Sequence, residues 1–308
     1  MKMKKVKEIR VFGYMYLYNN LIIVKNKDDK SIQNIDEDLD LTLLIDAKVH
    51  SLKILDNKLF YQVENCHNLH IYDDNIEIED SVGYALHSAL KYDPYIYIYG
   101  GKDDDAIFLD SKLQFIKKAP EYCNFSYNDY LLENYKNTLF CYKLSDKQWE
   151  YTHSDDSKIQ IISGYKDKVL IYSENGDLFA LNLNNGELCW EFEEKCYLHS
   201  LCGDNLYTVN KYKLVEIDAE TGRKKREIEI KPIEVKENFY ITRIKVYDDY
   251  IFCTDTFGGT VAVIDRKTLE LKEILRFEKH LINWEHSLHW VNNRLYVQDT
   301  EYVIHIFE

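Results

Sequence analysis

The sequence predicts an all-β protein, a single β-propeller of eight four-stranded blades. Three observations carry this. First, residues 168–192 spell a meander. An apolar strand (169–173) is followed by the turn Glu174-Asn175-Gly176-Asp177. A second strand (178–183) then leads through Asn184-Asn185-Gly186 into a third (188–192). Asn-Gly readily takes the positive φ of a tight hairpin. Second, the same order of strand, turn, strand, turn returns at residues 205–222 and 250–268, and a sheet repeated along a chain is how a propeller reads in sequence. Third, a tight polar turn marks every unit at a regular interval.

In chain order those turns are Asn19-Asn20, Asp56-Asn57, Asp93-Pro94, Asn128-Asp129, Asp167, Asp204-Asn205, Asp248-Asp249 and Asn292-Asn293. Their spacing averages about 39 residues, the length of one four-stranded unit. Each turn precedes an apolar strand, as at residues 21–24, 59–63, 95–99 and 295–297. Residues 302–307 read as the third strand of the eighth unit, and residues 6–11 form a spare strand able to fill the fourth place there. Closing the ring by pairing the first strand with the last unit leaves no open edge. Seven blades is the alternative, because the last units are longer. No linker rich in Pro, Gly or Ser divides the chain, so residues 1–308 read as one domain.

The turns and the intervening residues Ala180-Leu181-Asn182, Thr221-Gly222 and Trp190 resemble the PQQ-like (quinoprotein-type) propeller repeat. The resemblance is best over residues 168–192, weaker over 205–222 and 250–275, and faint elsewhere. It implies a propeller fold; in quinoprotein dehydrogenases it also implies a quinone cofactor and a tryptophan in most blades. Here Trp190 occupies the repeat position and Trp149 is a degenerate second, so no cofactor is expected. Such propellers serve as enzymes, assembly scaffolds and binding proteins, so function has to come from sites.

The composition narrows the partners. Net charge is −14, which disfavours nucleic acid and anionic membranes and suits a basic protein. The 26 tyrosines fit strands and also supply rigid contact area. Cys66, Cys123, Cys141, Cys189, Cys196, Cys202 and Cys253 are odd in number and lack paired spacing, as expected of reduced thiols in a cytosol. The basic start is interrupted by Glu8 and Arg10 before any apolar run, so no signal peptide is expected. No apolar run reaches the length of a membrane span.

Candidate chemistry is sparse. His50, His87, His199 and His286, each followed by serine, begin first strands and therefore ring the channel mouth. Blades two, three, six and eight are not contiguous, so a shared metal is not expected; hydrogen bonding to neighbouring blades explains them. The segment Cys66-His67-Asn68-Leu69-His70 lacks a second cluster at zinc spacing. The run Arg223-Lys224-Lys225-Arg226 reads as a solvated strand edge. Motifs for a nucleophile elbow, a zinc protease or a phosphate loop are missing, so a non-catalytic protein is expected, without metal or cofactor.

What remains is one face. Its second-to-third-strand loops contain Asp28, Asp29, Asp103, Asp104, Asp105, Glu174, Asp255 and Asp299, with Tyr135 among the rim tyrosines. A negative rim would steer a basic partner. The sequence thus leads to a cytoplasmic protein-binding propeller, monomeric when unbound, and within that class to a bacterial immunity protein that inhibits a toxin or effector. An enzyme or small-ligand binder using the channel mouth and a scaffold subunit are the alternatives.

Overall fold

In a computed structural model the chain is described over residues 3–55, 58–63, 69–72, 76–78, 88–92, 95–99, 106–109, 115–119, 123–210, 213–230, 241–283 and 286–308. The described residues contain strands and no helix, hence none long and apolar enough to cross a membrane. The strands form eight four-stranded antiparallel sheets. In chain order these occupy residues 13–45, 49–78, 88–118, 125–152, 159–192, 197–229 and 243–276. The eighth combines residues 288–307 with Lys5–Arg10.

The predicted turns fall where the backbone bends. Asn19 and Asn20 both take positive φ (46° and 60°), as do Asn292 and Asn293 (50° and 59°). Two left-handed residues in succession match the twist of a two-residue hairpin, and asparagine tolerates that conformation best among non-glycine residues. The turns at residues 56–57 and 93–94 lie outside the described residues. The central meander is Lys168–Ser173, Leu178–Asn182 and Leu188–Phe192, and Ile159–Tyr165 completes its sheet. Lys5–Arg10 pairs antiparallel with Val303–Phe307, with Ile9 opposite Ile304.

Apolar residues on both faces of the sheets bury against the next sheet along the chain. Leu132, Cys141 and Trp149 pack on Val169, Ile171 and Phe179, joining the fourth and fifth sheets. The eighth packs on the first through Ile304, Ile306 and Tyr296 against Met15, Ile22 and Val24. A polar tie reinforces that junction. The buried Gln298 amide donates to the Gly13 carbonyl (2.8 Å) and accepts from the Met15 amide (3.4 Å).

Residues on the outer strands lock neighbouring sheets by a recurring bond. The Trp149 indole N–H donates to the Leu183 carbonyl in the fifth sheet (2.8 Å), and Trp190 donates to Ala219 in the sixth (3.2 Å). Each ring lies where a β-carbon on the glycine closing the facing turn would stand. A Cβ at Gly186 would come within 2.8 Å of Trp149, and one at Gly222 within 2.6 Å of Trp190. Both glycines also take positive φ, so the turn and the docking need the same residue. Trp149 is therefore a full equivalent of Trp190.

The sixth sheet performs the same docking with a different residue. Trp190 sits opposite Ala180 and Trp149 opposite Cys141; the matching pair in the sixth sheet is Arg226 and Glu216. The Arg226 guanidinium donates to the carbonyls of Lys267 (2.5 Å) and Arg266 (3.2 Å) in the seventh sheet. The buried Glu216 carboxylate holds it from behind through Nε (2.8 Å) and Nη2. Arg226 is thus a docking residue, and the expectation of a merely solvated strand edge fails for it.

Candidate functional site

In an antiparallel four-stranded meander, second-to-third-strand turns and links to the next sheet emerge at the same edge. The site is built from two turns and one such link. Asn134, Tyr135 and Lys136 belong to the turn of the fourth sheet, Asp156, Ser157 and Lys158 to the link, and Glu174 and Asn175 to the turn of the fifth. They line an open groove of about 570 Å³. Backbone bonds fix it: Ile159 N–H donates to the Lys136 carbonyl (2.9 Å), and Glu174 N–H to that of Lys158 (2.8 Å). The Asn134 amide adds a bond to the Ile159 carbonyl (2.9 Å). Tyr135 is 61% exposed, with the Lys136 ammonium 5.3 Å from its ring centre.

The groove brings Tyr135 and Glu174 together, two residues expected at the site. Its walls carry Lys136 and Lys158 beside Asp156 and Glu174, so it is of mixed charge.

The acidic rim needs correction. Asp299 is only 2% exposed and accepts from the amides of Glu301 and Val303 (2.9 Å each) and from His305 Nε2 (2.9 Å). Asp255 is buried and accepts from the Gly258 amide (2.8 Å). Both carboxylates fold back onto their own turns, because a short acidic side chain readily satisfies nearby amides. Asp29 is exposed but tied to Ser31, whose hydroxyl, ahead of its amide, lowers the carboxyl pKa. Asp28 and Glu174 remain as exposed rim acids. Asp103, Asp104 and Asp105 lie outside the described residues. The opposite edge carries Asp36, Glu37, Asp38, Asp129, Asp167 and Asp249, so charge does not single out either face.

Among the described residues, His199 and His286 pack at different sheet junctions. His87 and the side chain of His50 lie outside the described residues. His199 packs on Tyr172 of the preceding sheet (4.6 Å between ring centres) and His286 on Tyr16 of the first (4.9 Å). His199 Nδ1 lies 2.9 Å from the Thr208 hydroxyl, which also reaches the Tyr197 carbonyl at 3.3 Å. This partner is in its own sheet; the neighbouring sheet supplies ring packing. Burial depresses the imidazole from 6.5 to about 3. The unfolded chain therefore binds a proton that the fold refuses between these values, and stability falls as pH drops from 6.5 towards 3. With His199→Gln the urea midpoint should decline less steeply over that window; parallel profiles would show that His199 does not contribute to acid sensitivity.

Aromatic exposure distinguishes the faces where charge does not. Phe12, Tyr135, Tyr197 and Phe257 are the exposed aromatic side chains among the described residues (58, 61, 47 and 66%). All four lie on the edge that carries the groove: Phe12 and Tyr197 at links between sheets, Tyr135 and Phe257 at second-to-third-strand turns. The other large exposed apolar residues are aliphatic. Val6, Leu43, Ile116 and Leu188 lie on outer strands, and Leu21 follows a turn of the opposite edge. Sequence reasoning missed Phe12, Tyr197 and Phe257. A signal was present in Thr256-Phe257-Gly258-Gly259, where an aromatic residue occupies a turn that polar residues usually fill.

No family model and no curated protein matches the chain. Solved structures do. BamB from Moraxella catarrhalis is similar over 100% of this chain and 98% of its own, at 12% identity and a TM-score of 0.63. The computationally designed Ika8 protein matches over 98% of both chains at 12% identity and 0.68. Apo AztD from Citrobacter koseri matches over 87% of both at 13% and 0.56. At such identities the likeness is one of fold alone: the chain is an all-β protein of the β-propeller type.

Proposed function

We propose that this chain is a non-catalytic, protein-binding β-propeller whose partner docks on the edge carrying Phe12, Tyr135, Tyr197 and Phe257. The observation that carries the reading is the gathering of every exposed aromatic side chain of the described residues on that edge. Exposed rings are rigid, bury large areas and dominate the energetics of protein interfaces. In the same reading the eight sheets form a closed ring as a single domain, with Lys5–Arg10 completing the eighth blade. In its finer form the partner is a basic toxin that this acidic chain neutralises in the cytosol. The charge of −14 and the lack of catalytic motifs support that form.

The test is capture of partners from the native host by tagged chain, followed by binding kinetics with the protein captured. Tyr135→Ser and Phe257→Ser should each weaken binding about tenfold or more through faster dissociation, as anchor residues do. Glu174→Gln should slow association modestly at low salt, since rim charges guide encounter. Asp36→Asn with Asp38→Asn on the opposite edge should change neither rate by more than twofold at physiological salt, where screening acts over about 8 Å. Unchanged dissociation in both aromatic variants would refute the docking face. A captured partner that is not basic would refute the toxin form alone.

A further inference from the structure

Beside the groove, bonded to its residues Ser157 and Asn175, lies a cluster that the docking face does not use. His153 follows the last strand of the fourth sheet, Asp155 stands in the link to the fifth, and Asp177 precedes the second strand pair of that sheet. His153 Nε2 is 3.5 Å from Asp177 Oδ2 and 3.8 Å from Asp155 Oδ1, and the three donor atoms lie within 4.8 Å of one another. We infer that His153, Asp155 and Asp177 form a binding site for a first-row divalent cation, with zinc as its simplest occupant.

The imidazole supplies the second observation. His153 is only 8% exposed, and it is Nε2, not the unpartnered Nδ1, that faces the two carboxylates. Its Nε2 stands farther from both carboxylates than the 2.7–3.2 Å of a hydrogen bond. An ion on Nε2 would fill that gap without reaching Nδ1, the other nitrogen of the imidazole. Its direction is fixed by stacking on Phe179, at 5.1 Å and 7° between rings, and by the bond from its own amide to the Asn137 carbonyl (2.8 Å). The separations of 3.5 and 3.8 Å suit two ligands of one ion, since metal bonds of about 2.0–2.2 Å place neighbouring donors at roughly 3–4 Å.

Outer groups orient both carboxylates, as metal ligands require. Asp155 Oδ2 accepts from the Asn175 amide (3.1 Å) and Oδ1 from the Ser157 N–H (2.8 Å) and hydroxyl. These bonds, the Ser157 hydroxyl foremost, hold its carboxyl down at about 2. Asp177 Oδ1 pairs with Lys195, which leaves Oδ2 facing His153; Oδ2 also accepts from the Ser173 hydroxyl (3.0 Å). Burial pushes the Asp177 carboxyl up, but these contacts outweigh it and its pKa is lowered. One imidazole and two carboxylates suit zinc or manganese better than calcium, which takes oxygen alone. The Asp155 side chain is 39% exposed, so an ion has a path from solvent and a further coordination position stays open.

The experiment uses the full chain, tag-free and stripped with a chelator, without any partner. Zinc titrated by calorimetry should bind at one ion per chain and raise the melting temperature, and cobalt(II) should give visible absorption bands. His153→Gln and Asp155→Asn should each weaken zinc at least about tenfold and abolish the cobalt bands. His286→Gln should leave both signals unchanged. Should His153→Gln fail to fold by circular dichroism, Asp155→Asn carries the comparison. Absence of stoichiometric zinc in the unaltered chain would overturn the site, as would binding that Asp155→Asn leaves intact.

Discussion

Removing residues 1–11 is expected to lower the melting temperature by about 5–10 °C. The deletion takes away Lys5–Arg10, whose backbone pairs with Val303–Phe307, together with buried Met3, Ile9 and Val11. Ile9 and Val11 pack into the cluster shared by the eighth and first sheets. At roughly 1.5–3 kcal/mol per buried apolar side chain, their loss amounts to about 5 kcal/mol before the ladder bonds are counted. For 308 residues each kilocalorie shifts the midpoint by about 1.5 °C. The Val303–Phe307 edge is left unpaired and prone to association. A synthetic peptide of residues 3–12, added to the shortened protein, should restore part of the loss. A melting curve unchanged by the deletion would show that the strand does not support the fold.

The second large effect is expected at Arg226. Arg226→Ala removes the bonds to the Arg266 and Lys267 carbonyls and leaves Glu216 buried without its counter-ion. The Arg226 side chain is 39% exposed while Glu216 is buried, so the cost should fall between that of exposed and buried pairs, about 2–3 kcal/mol, most of it for the carboxylate left behind. Arg226→Lys should recover little, because an ammonium cannot reach two carbonyls and a carboxylate in one plane. The informative variant is Arg226→Trp with Glu216→Ala, which recreates the Trp190 and Ala180 pairing of the fifth sheet. Leu269 stands in the seventh-sheet turn with φ of 58°, so Leu269→Gly would complete the exchange by making room for the indole. The triple variant should melt closer to the unaltered protein than Arg226→Ala does, with a midpoint less sensitive to salt. A loss below about 1 kcal/mol in Arg226→Ala, the scale of an exposed ion pair, would refute the docking role.

The exchange of tryptophan for arginine shows why the repeats fade in sequence while the fold persists. The outer-strand position needs a donor that reaches a carbonyl of the next sheet. An indole does this above a small residue, and a guanidinium does it in front of a carboxylate. A pattern that looks for tryptophan and glycine finds the fifth sheet and loses the sixth, although both sheets dock alike.

What the sequence determined by itself was local. Asn-Asn, Asn-Gly and Thr-Gly turns restrict φ over two residues, and alternation of apolar side chains sets the strands between them, so their spacing announces the repeated sheets. The pairing of residues 6–11 with 302–307 was also legible, because a three-stranded unit and a spare strand imply each other. What only the tertiary structure decided was which side chains face solvent and which meet. Asp255 and Asp299 look like rim acids in sequence, yet their carboxylates turn inward to their own amides. Phe12, Tyr135, Tyr197 and Phe257 are scattered along the chain, and only the shared direction of turns and links brings them to one edge. His153, Asp155 and Asp177 likewise converge across two sheets at no spacing that a ligand motif would reveal. Turn chemistry acts through neighbours in sequence, whereas burial and convergence depend on how distant strands stack.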